Sequence, residues 1–288
     1  MPLVVQSQTT QPNKTITFEF PGKQVLNYVV GVAYWKFTFG SKDHHVRTCA
    51  LNLAANKDEP SRVSVKVTGT LSDDSGNNIS NTDSVVTVCI IAVVDSPDSQ
   101  LSLGAANAIP NNGASSALPL PSANLAISSA VLSGWELGYS GDHHVRHFLT
   151  AAGLSVTGTT AQITAQAQMR DDSGNNAATA SINGGMIAAT PAASGLMTVS
   201  KTNLQDSGAV TAEFPRDVAT AIVLLQSLDM QFSGDHHVKS LGGGSSGWTV
   251  EGKNVKLDNA RAFMTDNSGH NEVSGSSGVN LVVVAIPK

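Results

Sequence analysis

At 288 residues and 29.7 kDa the chain has room for one large domain or two to three small ones, and its net charge of -5, with no run of Lys or Arg, argues against phosphate contacts and so against nucleic acid as a partner. Charged residues make up 14% against 41% hydrophobic and 5% aromatic, too few for long helices with solvated Lys and Glu faces. The 26 glycines, with Ser, Thr and Asn tracts between short Val and Ile runs, are the composition of strands and tight turns, so the expected class is all-β.

The opening Met1-Pro-Leu-Val-Val-Gln lacks the basic region and apolar stretch of a secretory signal, and no later segment reaches the ~18 unbroken apolar residues of a membrane-spanning helix. Export, if it occurs, is expected by another route, to the outside of the cell or to a particle. The first motif is Glu19-Phe20-Pro21, followed by an apolar strand and the aromatics Tyr34, Trp35, Phe37 and Phe39. Next come Lys42-Asp43-His44-His45-Val46-Arg47 and the alternating run Val63 to Thr68, whose period of two marks a strand with one buried face. Asp73-Asp74-Ser75-Gly76-Asn77 then reverses the chain, because Asp and Asn bond nearby backbone and Gly tolerates positive φ. Val88 to Ala92 closes the unit as an apolar strand, giving a first domain over 12–95.

Ser96 to Pro110 reads as a linker, and the low-charge stretch Ala114 to Pro121 is rich in turn formers. Leu120-Pro121, Trp135, Tyr139, Gly141-Asp142-His143-His144-Val145-Arg146, the alternating Ile163 to Met169, Asp171-Asp172-Ser173-Gly174-Asn175 and Gly185 to Ala188 repeat the plan over 111–190. After a junction at Pro191 to Lys201, the third copy over 202–288 carries Glu213-Phe214-Pro215, Phe232, Gly234-Asp235-His236-His237-Val238-Lys239, Trp248, Asp266-Asn267-Ser268-Gly269-His270 and Val282 to Ala285. From the second His to the turn Ser is 30, 29 and 31 residues (45 to 75, 144 to 173, 237 to 268), a regularity that marks internal repetition. Each copy is expected to be a small antiparallel sandwich.

The opening Phe-Pro, the Val-Gly-Val or Ala-Val-Leu strand, the alternating central strand and the closing Val-x-x-Ala strand together resemble the H-type lectin domain. That resemblance covers all three copies. It implies a six-stranded sandwich, a trimer imitated here within one chain, and affinity for galactosamine-type sugars. The Trp usual in the family's closing strand is Ile90, Met186 or Val283 here, and the Asp-His-His string lies outside the family pattern, so no sugar-binding residue is carried over.

Six of the eight histidines lie in Asp43-His44-His45, Asp142-His143-His144 and Asp235-His236-His237. Neighbours on a strand point to opposite faces, so one pair cannot ligate one ion; one His per copy, for example His45, His144 and His237, could converge on a pseudo-threefold axis as a three-imidazole metal site. The alternative is a structural corner in which an imidazole bonds a carbonyl or the Asp of the later turn. The turn residues Asp74, Ser75, Asn77, Asp172, Ser173, Asn175, Asp266 and Ser268 likewise read either as Asx-type turns or, with their hard oxygen donors, as calcium ligands. Trp35, Trp135 and Trp248 would suit sugar stacking if exposed and core filling if not. Cys49 and Cys89 are too few for a disulfide framework. Gly243-Gly244-Ser245-Ser246-Gly247 matches the nucleophile-elbow pattern in a Gly/Ser tract read as having neither the preceding strand nor the following helix. The expectation is a non-enzymatic protein without an organic cofactor. Its partners would be glycans, as in a lectin-like surface binder, or copies of itself, as in a structural subunit of a phage, virus-like or contractile injection particle.

Overall fold

The computed structural model describes residues 3–193, 195–205, 208–272 and 276–288; Met1 and Pro2, which open the N-terminal string, lie outside these, as do five residues within the third unit (206, 207, 273–275) and residue 194 in the second junction. The chain is all-β and sandwich-like. Among the described residues the regular elements are twenty strands, every pairing between them is antiparallel, and no helix is long and apolar enough to cross a membrane.

The strands are β1 (Leu3–Thr10), β2 (Lys14–Glu19), β3 (Val25–Thr38), β4 (Val46–Glu59), β5 (Arg62–Ser72) and β6 (Val85–Val94), then β7 (Leu101–Pro110), β8 (Leu118–Pro119), β9 (Ile127–His143), β10 (Val145–Thr157), β11 (Thr160–Arg170) and β12 (Thr179–Ala189). They continue as β13 (Met197–Leu204), β14 (Val210–Glu213), β15 (Val218–His236), β16 (Ser240–Gly244), β17 (Gly247–Glu251), β18 (Asn254–Asp258), β19 (Arg261–Thr265) and β20 (Gly278–Pro287). The alternating runs become β5 and β11, whose residues are buried every second position, while the apolar run of β6 is buried along nearly its whole length because both its faces are covered.

Two stretches read as linkers are strands. Leu101–Pro110 forms β7 and pairs with β12, and the second junction runs into β13 at Met197, which pairs with β20. Both pair along a single partner at a sheet edge, where only Leu101, Leu103 and Ile109 of β7 are buried, so their apolar signal is thin. Near the N-terminus, β1 pairs with β6, so the strands reach beyond 12–95, 111–190 and 202–288 on the N-terminal side.

The sheets do not follow the unit boundaries. Their orders are β1-β6-β3-β16-β19, β2-β5-β4-β9-β12-β7 and β13-β20-β15-β10-β11-β8, with a small sheet β14-β18-β17. The joins are β4 to β9, β10 to β15 and β16 to β3, with Thr48 opposite Gly138, His147 opposite Gln231 and Ser240 opposite Thr38 at corresponding places. Two apolar clusters result. One fills the spaces between facing sheets, around Trp35, Phe37, Leu51, Trp135 and Phe148. The other draws Val29 and Ile91, Val131 and Ile187, and Leu224 and Val282 from β3/β6, β9/β12 and β15/β20, where these strands pack on one another.

Candidate functional site

Each Asp-His-His string sits where a long strand ends beside the recurring turn. The turns are built alike: the N–H of Asp73, Asp171 and Asp266 donates to the carbonyl of Asn77, Asn175 and His270, and Gly76, Gly174 and Gly269 take φ of 91, 86 and 89°. Ser75, Ser173 and Ser268 therefore lie in corresponding turns. The first carboxylate of each turn is buried and accepts from donors of its own turn: Asp73 Oδ1 accepts from Asn77 N at 2.8 Å and Oδ2 from Asn77 Nδ2, and Asp171 does the same with Asn175. Burial works to raise the Asp73 carboxyl, but the Asn77 side-chain and backbone N–H groups and then His44 outweigh it and hold it below its ordinary value; Asp171 and Asp266 are lowered in the same way.

The first histidine of each pair belongs to this turn. His44 Nδ1 lies 3.4 Å from Asp73, His143 Nδ1 3.2 Å from Asp171 and His236 Nδ1 3.3 Å from Asp266. Each ring also packs on an aromatic of the preceding strand or its end, Phe39, Tyr139 or Phe232. The first copy has one more residue between aromatic and Asp, and Gly40 at φ 100° absorbs it.

The Asp of each string reaches to another copy. Asp142 accepts the N–H of Asp74 at 2.6 Å, Asp235 that of Asp172 at 2.6 Å, and Asp43 that of Asn267 at 3.0 Å. Arg47 pairs with Asp74 and Arg146 with Asp172, on the exposed side of the same turns. In the third copy Lys239 and Asn267 stand at these places.

The second histidines meet. Ligand atoms of His45, His144 and His237 all lie within 4.8 Å of one another, with His45 Nε2 3.2 Å from His237 Nε2 and ring centroids 4.3 to 4.8 Å apart. Partial burial, together with His237 and His144, holds His45 below its ordinary value against the opposing pull of Asp142 and Asp73, which favours neutral imidazole. The two histidines of each string thus differ in place: the first makes the corner with the turn carboxylate, and the second lies in the three-ring cluster. A further group, His236, Asp266 and His270, arises because His270 replaces the Asn of the other turns. Asp73, Asp171 and His270 complete these sites yet were visible in the sequence only as members of the turn strings.

The tryptophans are placed differently from a sugar platform. Trp35 and Trp135 are 0% and 2% exposed, with rings 4.7 Å apart beside Phe148, so neither can stack on a ligand. They are part of the core cluster that also holds Phe37, Leu51 and Phe148. Trp248 is half-buried and its Nε1–H donates to Ala221 O. Ser245 follows a strand after all, β16, but it is fully buried, with Oγ facing the carbonyls of Gly247 and Asp258 rather than solvent, and the strand β17 comes next. Cys49 and Cys89 are buried and unbonded, and burial pushes the Cys49 thiol up to about 12.

Across one face of the sheet that holds β20, β15, β10 and β11 runs an open groove of about 970 Å³, whose lining includes Asn112, Gln166, Asn203, Gln226, Asp229 and Asn280 over a floor of small residues such as Ala151 and Gly153. His147 Nε2 lies 2.8 Å from Asp229 Oδ1 at this groove. No signal in the sequence marked it, since its residues come from five separate strands and two loops. No protein-family model matches the chain, and a search of curated proteins finds no match either.

Proposed function

We propose that the protein is a non-enzymatic, lectin-like surface-binding protein built as an intramolecular pseudo-trimer of three homologous units. The cyclic set of joins supports the trimer: β4 meets β9, β10 meets β15 and β16 meets β3, and the Asp of each string caps a turn of another unit in the same cycle. Such a closed ring of heterologous contacts leaves no unit with an unmatched joining edge.

The observation that carries the binding reading is the groove between the second and third units, rich in side-chain amides with the Asp229 carboxylate. Amides and a carboxylate donate to and accept from the hydroxyl groups of a sugar, and a volume of about 970 Å³ admits a small oligosaccharide. The test is a glycan array followed by titration of the best hit against the wild-type chain and Ala151→Trp, which fills the groove. Retention of galactosamine-type or other glycans, weakened at least about tenfold by Ala151→Trp, is the expected result. A chain that retains no glycan overturns the reading. The burial of Trp35 and Trp135, which removes two aromatic platforms, favours in that case the structural subunit of a particle.

A further inference from the structure

We propose that His45, His144 and His237 bind one first-row divalent metal ion, such as Zn²⁺, through their imidazoles at the point where the three Asp-His-His strings meet. The three side chains come from stretches about a hundred residues apart, and their nitrogens nevertheless lie within 4.8 Å of one another. Two Zn–N bonds of the usual length at a tetrahedral angle separate their nitrogens by about 3.3 Å. His45 Nε2 and His237 Nε2 stand 3.2 Å apart, the spacing of two ligands on one ion.

The surroundings match a metal ligand set in four further respects. The first histidine of every string is already committed to its turn carboxylate, so the second has a separate role, and it is repeated in all three copies. Behind His237 the Asp43 carboxylate lies 3.8 Å from Nδ1, longer than a hydrogen bond but on the ring nitrogen away from His45, the side from which an outer carboxylate supports a ligating histidine. The ligand set consists of imidazoles alone, which suits Zn²⁺, Co²⁺, Ni²⁺ or Cu²⁺ and disfavours Ca²⁺ and Mg²⁺. The His237 side chain is 40% exposed, so the site opens to solvent and leaves coordination positions for water.

The other group, His236, Asp266 and His270, has an explanation without an ion. Asp266 accepts from the His270 backbone N–H at 2.9 Å and faces its Nδ1 at 2.6 Å, the bonds that Asn77 and Asn175 make in their own turns. The inference is therefore confined to the three second histidines, and it is independent of what the groove binds.

The experiment uses the full chain, stripped with chelator, titrated with Co²⁺ under visible absorption and with Zn²⁺ by calorimetry. One ion per chain is expected, with a visible spectrum of nitrogen coordination and a raised Tm. His45→Ala, His144→Ala and His237→Ala should each weaken binding at least about 100-fold, and Asp43→Asn about tenfold. His270→Asn, which restores the residue of the other two turns, should leave binding unchanged. No one-to-one binding, or binding indifferent to all three alanine variants, overturns the proposal. Loss of binding in His270→Asn also overturns it, by placing the ion at His236, Asp266 and His270. If an alanine variant fails to fold, His144→Gln takes its place, and the stoichiometry and Co²⁺ spectrum of the wild-type chain decide independently.

Discussion

In each Asp-His-His string, backbone alternation turns neighbouring imidazoles to opposite sides, so His44 meets Asp73 while His45 meets His144 and His237. Titration follows from these surroundings. The folded pKa of His45 is depressed below 6.5, through burial first and the two other histidines second, so as pH falls through that value the unfolded chain takes up its proton first and stability drops. Asp73, Asp171 and Asp266 are depressed below 3.8, so the stability they contribute is present above that value and is lost as pH falls through their folded pKa values. In chelator, Tm measured by circular dichroism should therefore decline in two stages, near pH 6.5 and again below 3.8, and His45→Gln should reduce the first stage. A second residue-scale expectation concerns Gly185, where an added Cβ would lie 2.4 Å from Val29 Cγ2 in the cluster shared by β3, β9 and β15. Gly185→Ala should cost roughly 1–3 kcal/mol in denaturant unfolding by overpacking.

At the scale of elements, the turn between β5 and β6 is held by bonds of unequal worth. Arg47 and Asp74 are 51% and 39% exposed, so their ion pair is hydrated and screened, and Arg47→Ala should change stability by less than about 1 kcal/mol. Asp142 instead accepts a backbone N–H from the turn of another unit and joins two separate parts of the chain. Asp142→Ala should cost about 1 kcal/mol or more, exceed the effect of Arg47→Ala, and raise hydrogen exchange at the amide of Asp74, which would lose its acceptor. Equal losses in the two variants would contradict this ranking. Trp35 sits where β3 meets β16, against Trp135 and Phe37, so Trp35→Ala should cost roughly 3–5 kcal/mol.

For the whole molecule, the joins β4 to β9, β10 to β15 and β16 to β3 spread each of the three large sheets over two units and leave a single unit with two unpaired strand edges. The full chain should accordingly unfold in one cooperative transition. A chain comprising residues 97–193 alone should not be a folded monomer: β9 would lack β4, and β10 would lack β15. Light scattering and near-ultraviolet circular dichroism check this, with aggregation, self-association or loss of tertiary signal expected. A monomer with native-like near-ultraviolet signal would show that each unit is self-sufficient.

The sequence by itself determined what rests on local physics. Period-two runs such as Val63 to Thr68 and Ile163 to Met169 specify strands, and Asp-x-Ser-Gly specifies a turn, because burial of alternate faces and Asx bonding act over a few residues. The spacing of the strings also identified His45, His144 and His237 as residues that could share a site. Only tertiary structure decided that they come together, because their convergence depends on strand pairing across distant segments. The same holds for β7, whose apolar residues are too sparse to signal an edge strand before its partner β12 is known. Trp35 and Trp135 read equally as platform or core until the sheets close over them, since burial belongs to the assembled layers and not to the residue. The groove, too, exists only on a sheet face that several distant strands build together.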